Sequence, residues 1–295
     1  MVPPDSPSRA GSDGVTFRRL ESAADYDACV ELQRATWGRD FGEVVPASIL
    51  KINQKVGGVS AAAFAADGRM LGFVYGQTGL QGDPPRRVHW SHMLAVDPEA
   101  RDLGLGTRLK LYQRELLLPL EVEEIQWTYD PLEARNAHLN LNRLGAEVAE
   151  YVEDMYANEM GSELARGIGT DRFIVAWRIQ SARVEERVAG RLPDLGACVA
   201  RYADSPVANT DKDGTSGAAE GVLLELPEAP RVRVEIPASI QAVKADDPEA
   251  AYAWRLSTRR AFAEYLARGY RVEAFWRDSA KARGVYGLTA PDSRS

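Results

Sequence analysis

Cysteine and histidine are scarce. The 295 residues hold two cysteines, Cys29 and Cys198, and three histidines, His89, His92 and His138. Two cysteines cannot staple a fold of this size, and their apolar, helix-like surroundings predict buried thiols in a reducing, cytoplasmic setting. Without a cysteine pair or a histidine cluster, no metal site of recognisable spacing is expected. Apolar runs are short as well. None reaches about 18 residues, so no membrane span is expected. Residues 1–14 carry Pro, Ser, Gly and charge without an apolar stretch, which predicts a disordered lead-in and no secretory signal. Positive charge is in deficit, with 36 Lys and Arg against 43 Asp and Glu, a net charge of −7. That balance argues against a nucleic-acid or anionic-membrane partner. Any anionic ligand must be held by a local device.

What is present is an ordinary globular composition, 45% hydrophobic and 27% charged, long enough for one large domain or two modest ones. Strands are expected at 15–20, 59–65, 70–77, 88–96, 124–129, 148–156 and 172–179. Helices are expected at 25–37, 46–54, 104–118 and 131–144. Asp67-Gly68 between the second and third strands is a hairpin signal. The order is a mixed α+β sheet filling residues 15–180. Residues 181–220 read as a helix (181–192) followed by a linker rich in Asp, Ser, Gly and Thr (203–220). Residues 221–295 read as a smaller α+β module, with strands at 222–226, 232–236, 271–276 and 284–288 and a helix at 248–268.

The informative stretch runs from His92 to Leu109, where a strand enters a loop with two glycines and a helix starts on them. Glycines let successive backbone N–H groups turn toward one point, and the helix dipole there favours negative charge. Such a turn binds a pyrophosphate even in an acidic protein. A Rossmann fingerprint needs a third glycine where Leu109 stands. A P-loop needs Gly-Lys-Ser/Thr, which Gly106-Thr107-Arg108 does not supply. A helix start with two incidental glycines is the plain alternative. Arg101-x-x-Gly104-x-Gly106 after a Leu-Ala-Val strand instead resembles the pyrophosphate signature of the GNAT acyltransferase superfamily, whose element order is also the one above.

The resemblance implies a splayed sheet, with the pantetheine arm of an acyl-CoA pairing to the strand edge at Leu94, Ala95 and Val96. It implies a pyrophosphate on the turn formed by Arg101, Asp102, Leu103, Gly104, Leu105, Gly106 and Thr107, and a thioester carbonyl near the splay, polarised by a backbone amide.

In the second helix, Asp130-Pro131-x-Glu133 reads as a capping box, which explains Asp130 more cheaply than a catalytic acid does. Asn136 and Asn140, one turn apart, are expected to face coenzyme or substrate, and Asn142 solvent. The tyrosine that GNAT enzymes often carry on this helix falls on Leu141. Their glutamate early on the strand before the signature has no counterpart in residues 88–96. His92, placed by alternation on the face of Leu94 and Val96, is the candidate base. Tyr151 and Tyr156, on the strand after the helix, are candidate phenols near the sulfur. Arg255 and Arg259, one turn apart on the long C-terminal helix, could clamp an acidic acceptor or hold the module in place.

Asp130-Pro-Leu, Arg135-Asn-Ala, Gly145-Ala, Asp171-Arg172 and Trp254-Arg with Thr258-Arg259 together resemble a little-characterised bacterial family of GNAT N-acetyltransferases with a C-terminal extension. The implied activity is acyl-CoA-dependent N-acylation of a small-molecule amine with an acetyl or succinyl-type group, metal-free and compatible with a homodimer. The missing tyrosine and glutamate keep a second reading open, a CoA-binding sensor or interaction protein without turnover.

Overall fold

The computed structural model describes residues 9–10, 14–156, 167–209 and 225–291. They form two compact units. One holds residues 9–10, 14–127 and 177–185; the other holds 128–156, 167–176, 186–209 and 225–291.

The first unit begins with β1 (Arg9–Ala10) and β2 (Thr16–Arg19), paired antiparallel. Part of the expected lead-in is thus a strand, and the remainder up to residue 13 lies outside the described residues. Helix α1 (Ala23–Trp37) starts on a reciprocal capping box, Ser22 with Asp25, and stops at Gly38, whose φ of 112° admits no side chain cheaply. Arg18 holds the same Asp25 carboxylate from β2 at 2.7 and 2.9 Å. Helix α2 (Ala47–Lys55) follows. Then come β3 (Val59–Phe64), β4 (Met70–Gln81) and β5 (Arg86–Val96), joined antiparallel in succession.

Every residue of β3, Val-Ser-Ala-Ala-Ala-Phe, is buried. Its small side chains suit a strand enclosed on both faces. On one face Cys29, Leu32 and Leu50 from α1 and α2 meet Phe73, Tyr75, Met93 and Ala95 in a single core. Helix α3 (Leu105–Leu117) carries Leu109, whose side chain reaches Gly72 of β4. Arg114 of α3 donates to Ile179 O at 2.7 Å and pairs with Glu185, tying residues 177–185 to this unit.

Strand β6 (Glu124–Tyr129) leads to a four-residue α4 (Ala134–Ala137), which passes into π-helical winding at His138–Arg143. Strands β7 (Glu147–Val152) and β8 (Arg172–Arg178) pair antiparallel. The large sheet is eight-stranded and mixed, in the order β1-β2-β3-β4-β5-β6-β8-β7. The helix expected at 181–192 is α5 (Ala182–Val188), shorter than expected, and a further short helix, α6 (Leu195–Arg201), follows it.

A separate three-stranded sheet is built from β9 (Arg231–Pro237), β10 (Arg271–Asp278) and β11 (Arg283–Thr289), in the order β10-β11-β9. Helices α7 (Ile240–Asp246) and α8 (Pro248–Ala267) lie between its first two strands in sequence. Asp247 caps α8 and Pro248 opens it. Phe262 of α8 packs against Phe173 (ring centres 4.7 Å apart) and Tyr286 (5.2 Å) within the second unit.

The expected strand at 222–226 falls partly outside the described residues, and its last two positions are irregular. The expected linker is only partly one. Val207 bridges to Arg233, and Asn209, buried, donates to Glu235 O at 2.8 Å.

Candidate functional site

The site-forming feature of the first unit is an interruption in β5. Tyr75 pairs with Met93, and Gln77 with Trp90, so one residue of β4 (Gly76) faces two of β5, Ser91 and His92. That is a β-bulge. Gly76 is required there, because a Cβ would stand 2.6 Å from Trp90 O and 2.9 Å from Ser91 Cα.

On its other side β5 runs parallel to β6, but the pairing covers only Val88↔Glu124, His89↔Ile125 and Trp90↔Gln126. It stops where the bulge begins. From residue 91 to residue 96, β5 is paired to β4 alone among the described residues. The two parallel strands fork, and the β5 edge beyond the fork keeps its backbone donors and acceptors for another partner. Leu94 and Val96 are half-buried along this edge, while Ala95 is buried in the core.

The edge leads directly into the turn. Asp97 accepts from Glu99 N at 2.9 Å and opens a 3₁₀ turn, Pro98–Leu103, which includes Arg101 and Asp102. Gly104 then takes φ 65°, ψ 19° and stands as the N-cap of α3, where no side chain caps the helix. The first turn of an α-helix has no intrahelical acceptors for its amides. Here the first backbone bond at this end is Arg108 N to Gly104 O at 3.3 Å. The N–H groups of Leu105, Gly106 and Thr107 precede it. Space is open around Gly104, since nothing lies within 4 Å of where its Cβ would be, and Leu103 and Arg101 are exposed. An uncapped, open helix start on a left-handed glycine fits a pyrophosphate.

His92 is half-buried, but not where simple alternation places it. The bulge adds one residue, and the imidazole stands edge-on to Tyr75, 6.0 Å between ring centres, on the side of Met93 rather than of Leu94 and Val96. Burial lowers its pKa, and Glu43 opposes that shift.

The second unit holds the remaining sequence candidates. The expected capping box at Asp130 is absent, because α4 begins only at Ala134 and the side chain of its N-cap Glu133 makes no capping bond. Asp130 instead accepts from Leu132 N at 2.9 Å and from Arg255 Nη2 at 2.6 Å. The π winding after Ala137 separates the asparagines. Asn136 is exposed and Asn140 buried, so they do not share a face. Asn142 is buried rather than solvent-facing, donating to Phe275 O at 2.9 Å. Leu141 is buried too.

Tyr156 follows β7 and is half-buried, its hydroxyl 3.0 Å from Thr128 Oγ1. Arg255 is fully enclosed, donating to Ile168 O at 2.9 Å as well as to Asp130. Arg259 is bound by Asp171 and Asp154, with Nε 2.9 Å from Asp171 Oδ2 and Nη2 2.9 Å from Asp154 Oδ2. Burial works to raise the Asp171 pKa, but hydrogen bonds from Arg259 and Tyr151 hold it below the usual carboxylate range. Both guanidiniums are thus bonded to carboxylates of this unit.

Gly76, Ser91 and Lys110 also lie at the fork and are not among the residues the sequence singles out. A glycine inside a strand pattern was the available signal for the first.

The element order, the forked sheet and the glycine turn between β5 and α3 are those the sequence resemblance implies. The fold is of the GNAT type. No protein-family model and no curated protein matches the chain. Solved structures similar to it include the ribosomal-protein-S18-alanine N-acetyltransferase from Escherichia coli, 21% identical, covering 57% of this chain and 96% of that one, TM-score 0.42. A GNAT-family acetyltransferase from Streptococcus pneumoniae is 16% identical, covering 55% and 97%, TM-score 0.43. A candidate acetyltransferase from Salmonella typhimurium, solved with its cofactor acetyl-CoA, is 15% identical, covering 57% and 95%, TM-score 0.44. Among the described residues no helix is long and apolar enough to cross a membrane, and no group of three His, Cys, Asp or Glu is placed to hold a metal.

Proposed function

We propose that the chain is an acyl-CoA-dependent N-acyltransferase that moves an acetyl or succinyl-type group to a small amine. One observation carries the reading: the unpaired β5 edge beyond Trp90 leads without a break into the uncapped start of α3 at Gly104. An arm carrying amide groups can add to such an edge as a strand would, while a pyrophosphate takes the amides of residues 105–107. Leu94, Ala95 and Val96 serve through their backbone, and the 101–107 turn holds the phosphates.

The neutral amine attacks the thioester carbonyl carbon, the C–S bond breaks, and the acyl group passes to nitrogen. The proton lost by the amine balances the thiolate that leaves as thiol. His92, neutral over most of the working range because burial lowers its pKa, is the group of this unit suited to take a proton through water.

A second reading, a CoA-binding sensor without turnover, is favoured by two facts. Leu141 stands buried where a tyrosine acid would be expected, and β5 contains no carboxylate. Release of free thiol from acetyl-CoA and succinyl-CoA, screened over amino acids and polyamines, separates the two. Acceptor-dependent thiol supports the enzyme. Tight CoA binding with no such thiol across the panel supports the sensor.

A further inference from the structure

One buried ionisable group at the fork has no part in the reaction as proposed. Lys110, on α3, is 4% exposed. Its Nζ lies 2.8 Å from Ser91 Oγ and 3.6 Å from the centre of the Trp127 ring. Ser91 directly follows Trp90 on β5, and Trp127 directly follows Gln126 on β6. Trp90↔Gln126 is the last pair before the strands part. One amine therefore touches both strands at the first register where they no longer touch each other.

The contacts behind Ser91 are directional. Ser91 donates to Gln113 Oε1 at 3.0 Å, and the Gln113 amide, which can only donate, reaches His89 Nε2 at 3.0 Å. That leaves the proton of His89 on Nδ1, donated to Thr78 Oγ1 at 2.9 Å, and Thr78 donates to Gly57 O at 2.8 Å. Burial, with Lys110 and Arg19 nearby, pushes the His89 pKa down to about 3, so the imidazole is neutral and the order of donors holds. Ser91 must accept from Lys110, and its hydroxyl is fixed in place. Ser91 is also the first residue of the bulge facing Gly76.

An apolar side chain of equal length would fill the Lys110 site without desolvating an amine, whose pKa burial lowers well below 10.5. What the amine adds is a polar contact to Ser91 together with a contact to the Trp127 face.

We propose that Lys110 is a positioning residue of the acyl-CoA site: its amine bridges Ser91 and Trp127, setting the opening between β5 and β6 and the bulge that presents the free edge to the thioester arm. This rests on the coenzyme reading above. The glycine turn is a separate part of the same site, so the two can be measured apart.

Calorimetry with two probes does this. 3′-Phospho-ADP, the nucleotide part of CoA, tests the turn; acetyl-CoA tests the turn and the fork together. In Lys110→Met the affinity for 3′-phospho-ADP is expected to stay within twofold of wild type while that for acetyl-CoA falls at least tenfold. Ser91→Ala, which removes a single hydroxyl, is expected to shift acetyl-CoA affinity in the same direction and covers the case in which Lys110→Met does not fold. Unchanged acetyl-CoA affinity in the folded variants, or equal weakening of both probes, overturns the positioning role. If wild-type protein binds neither probe, the coenzyme reading falls and this role falls with it.

Discussion

A Cβ placed on Gly76 would stand 2.3 Å from Nε2 of His89, the imidazole that Gln113 holds behind the fork. The glycine of β4 and the histidine of β5 occupy neighbouring space that admits no methyl group. Their closeness lets the bulge at Ser91 and His92 form.

Gly76→Ala must therefore push backbone as well as a side chain, and overpacking of this kind costs about 1–3 kcal/mol. Urea denaturation should show a lower midpoint with an unchanged slope. Acetyl-CoA binding should weaken alongside. Wild-type stability in the variant would mean that the bulge tolerates a side chain.

Asp130 and Arg255 make a different prediction from the helix cap that the sequence suggests. Loss of an N-cap costs about 1 kcal/mol. Asp130→Ala instead leaves a guanidinium that is 0% exposed without its bonded carboxylate, and breaking a buried pair costs about 3–5 kcal/mol. Chemical denaturation distinguishes the two values. A loss near 1 kcal/mol would show that Asp171, the other carboxylate whose charge acts on Arg255, or water compensates.

His92 governs the expected pH dependence. A base acts in its neutral form, so kcat/KM should rise with pH through the pKa of His92 and level off above it. Burial lowers that pKa from 6.5, so the rise should lie below 6.5 and the plateau should be reached by neutral pH. His92→Gln is expected to lower kcat/KM by one to two decades, about 1.4–2.7 kcal/mol of transition-state stabilisation, and to flatten that limb. A limb that survives the substitution would assign the proton to another group.

Much of this architecture was legible in the residues. Asp67-Gly68 marks the β3–β4 turn, where Gly68 takes φ 86°. Gly104 marks the start of α3 because most side chains are strained at its φ of 65°. Alternation along β5 was legible except at Ser91 and His92, since a bulge inserts a residue without changing local composition.

The winding at His138–Arg143 was illegible for a similar reason. The stretch mixes leucines with asparagines and gives no sign that its bonds run one residue further than α-helical. The sequence left the role of Arg255 open because its partner Asp130 is remote in sequence and only the fold brings them together. The Lys110 bridge required knowing where β5 and β6 stop pairing.

The central claim is that the Gly104 turn holds the pyrophosphate of CoA, and Gly104→Val tests it most directly. Valine at φ 65° is strained, and relieving that strain re-aims the amides of residues 105–107. Gly104→Asn, by contrast, tolerates the left-handed conformation, and the open space around Gly104 leaves its side chain room. Calorimetry with CoA should show binding abolished in Gly104→Val and largely kept in Gly104→Asn, both folded by circular dichroism. CoA affinity unchanged in a folded Gly104→Val protein would contradict the assignment.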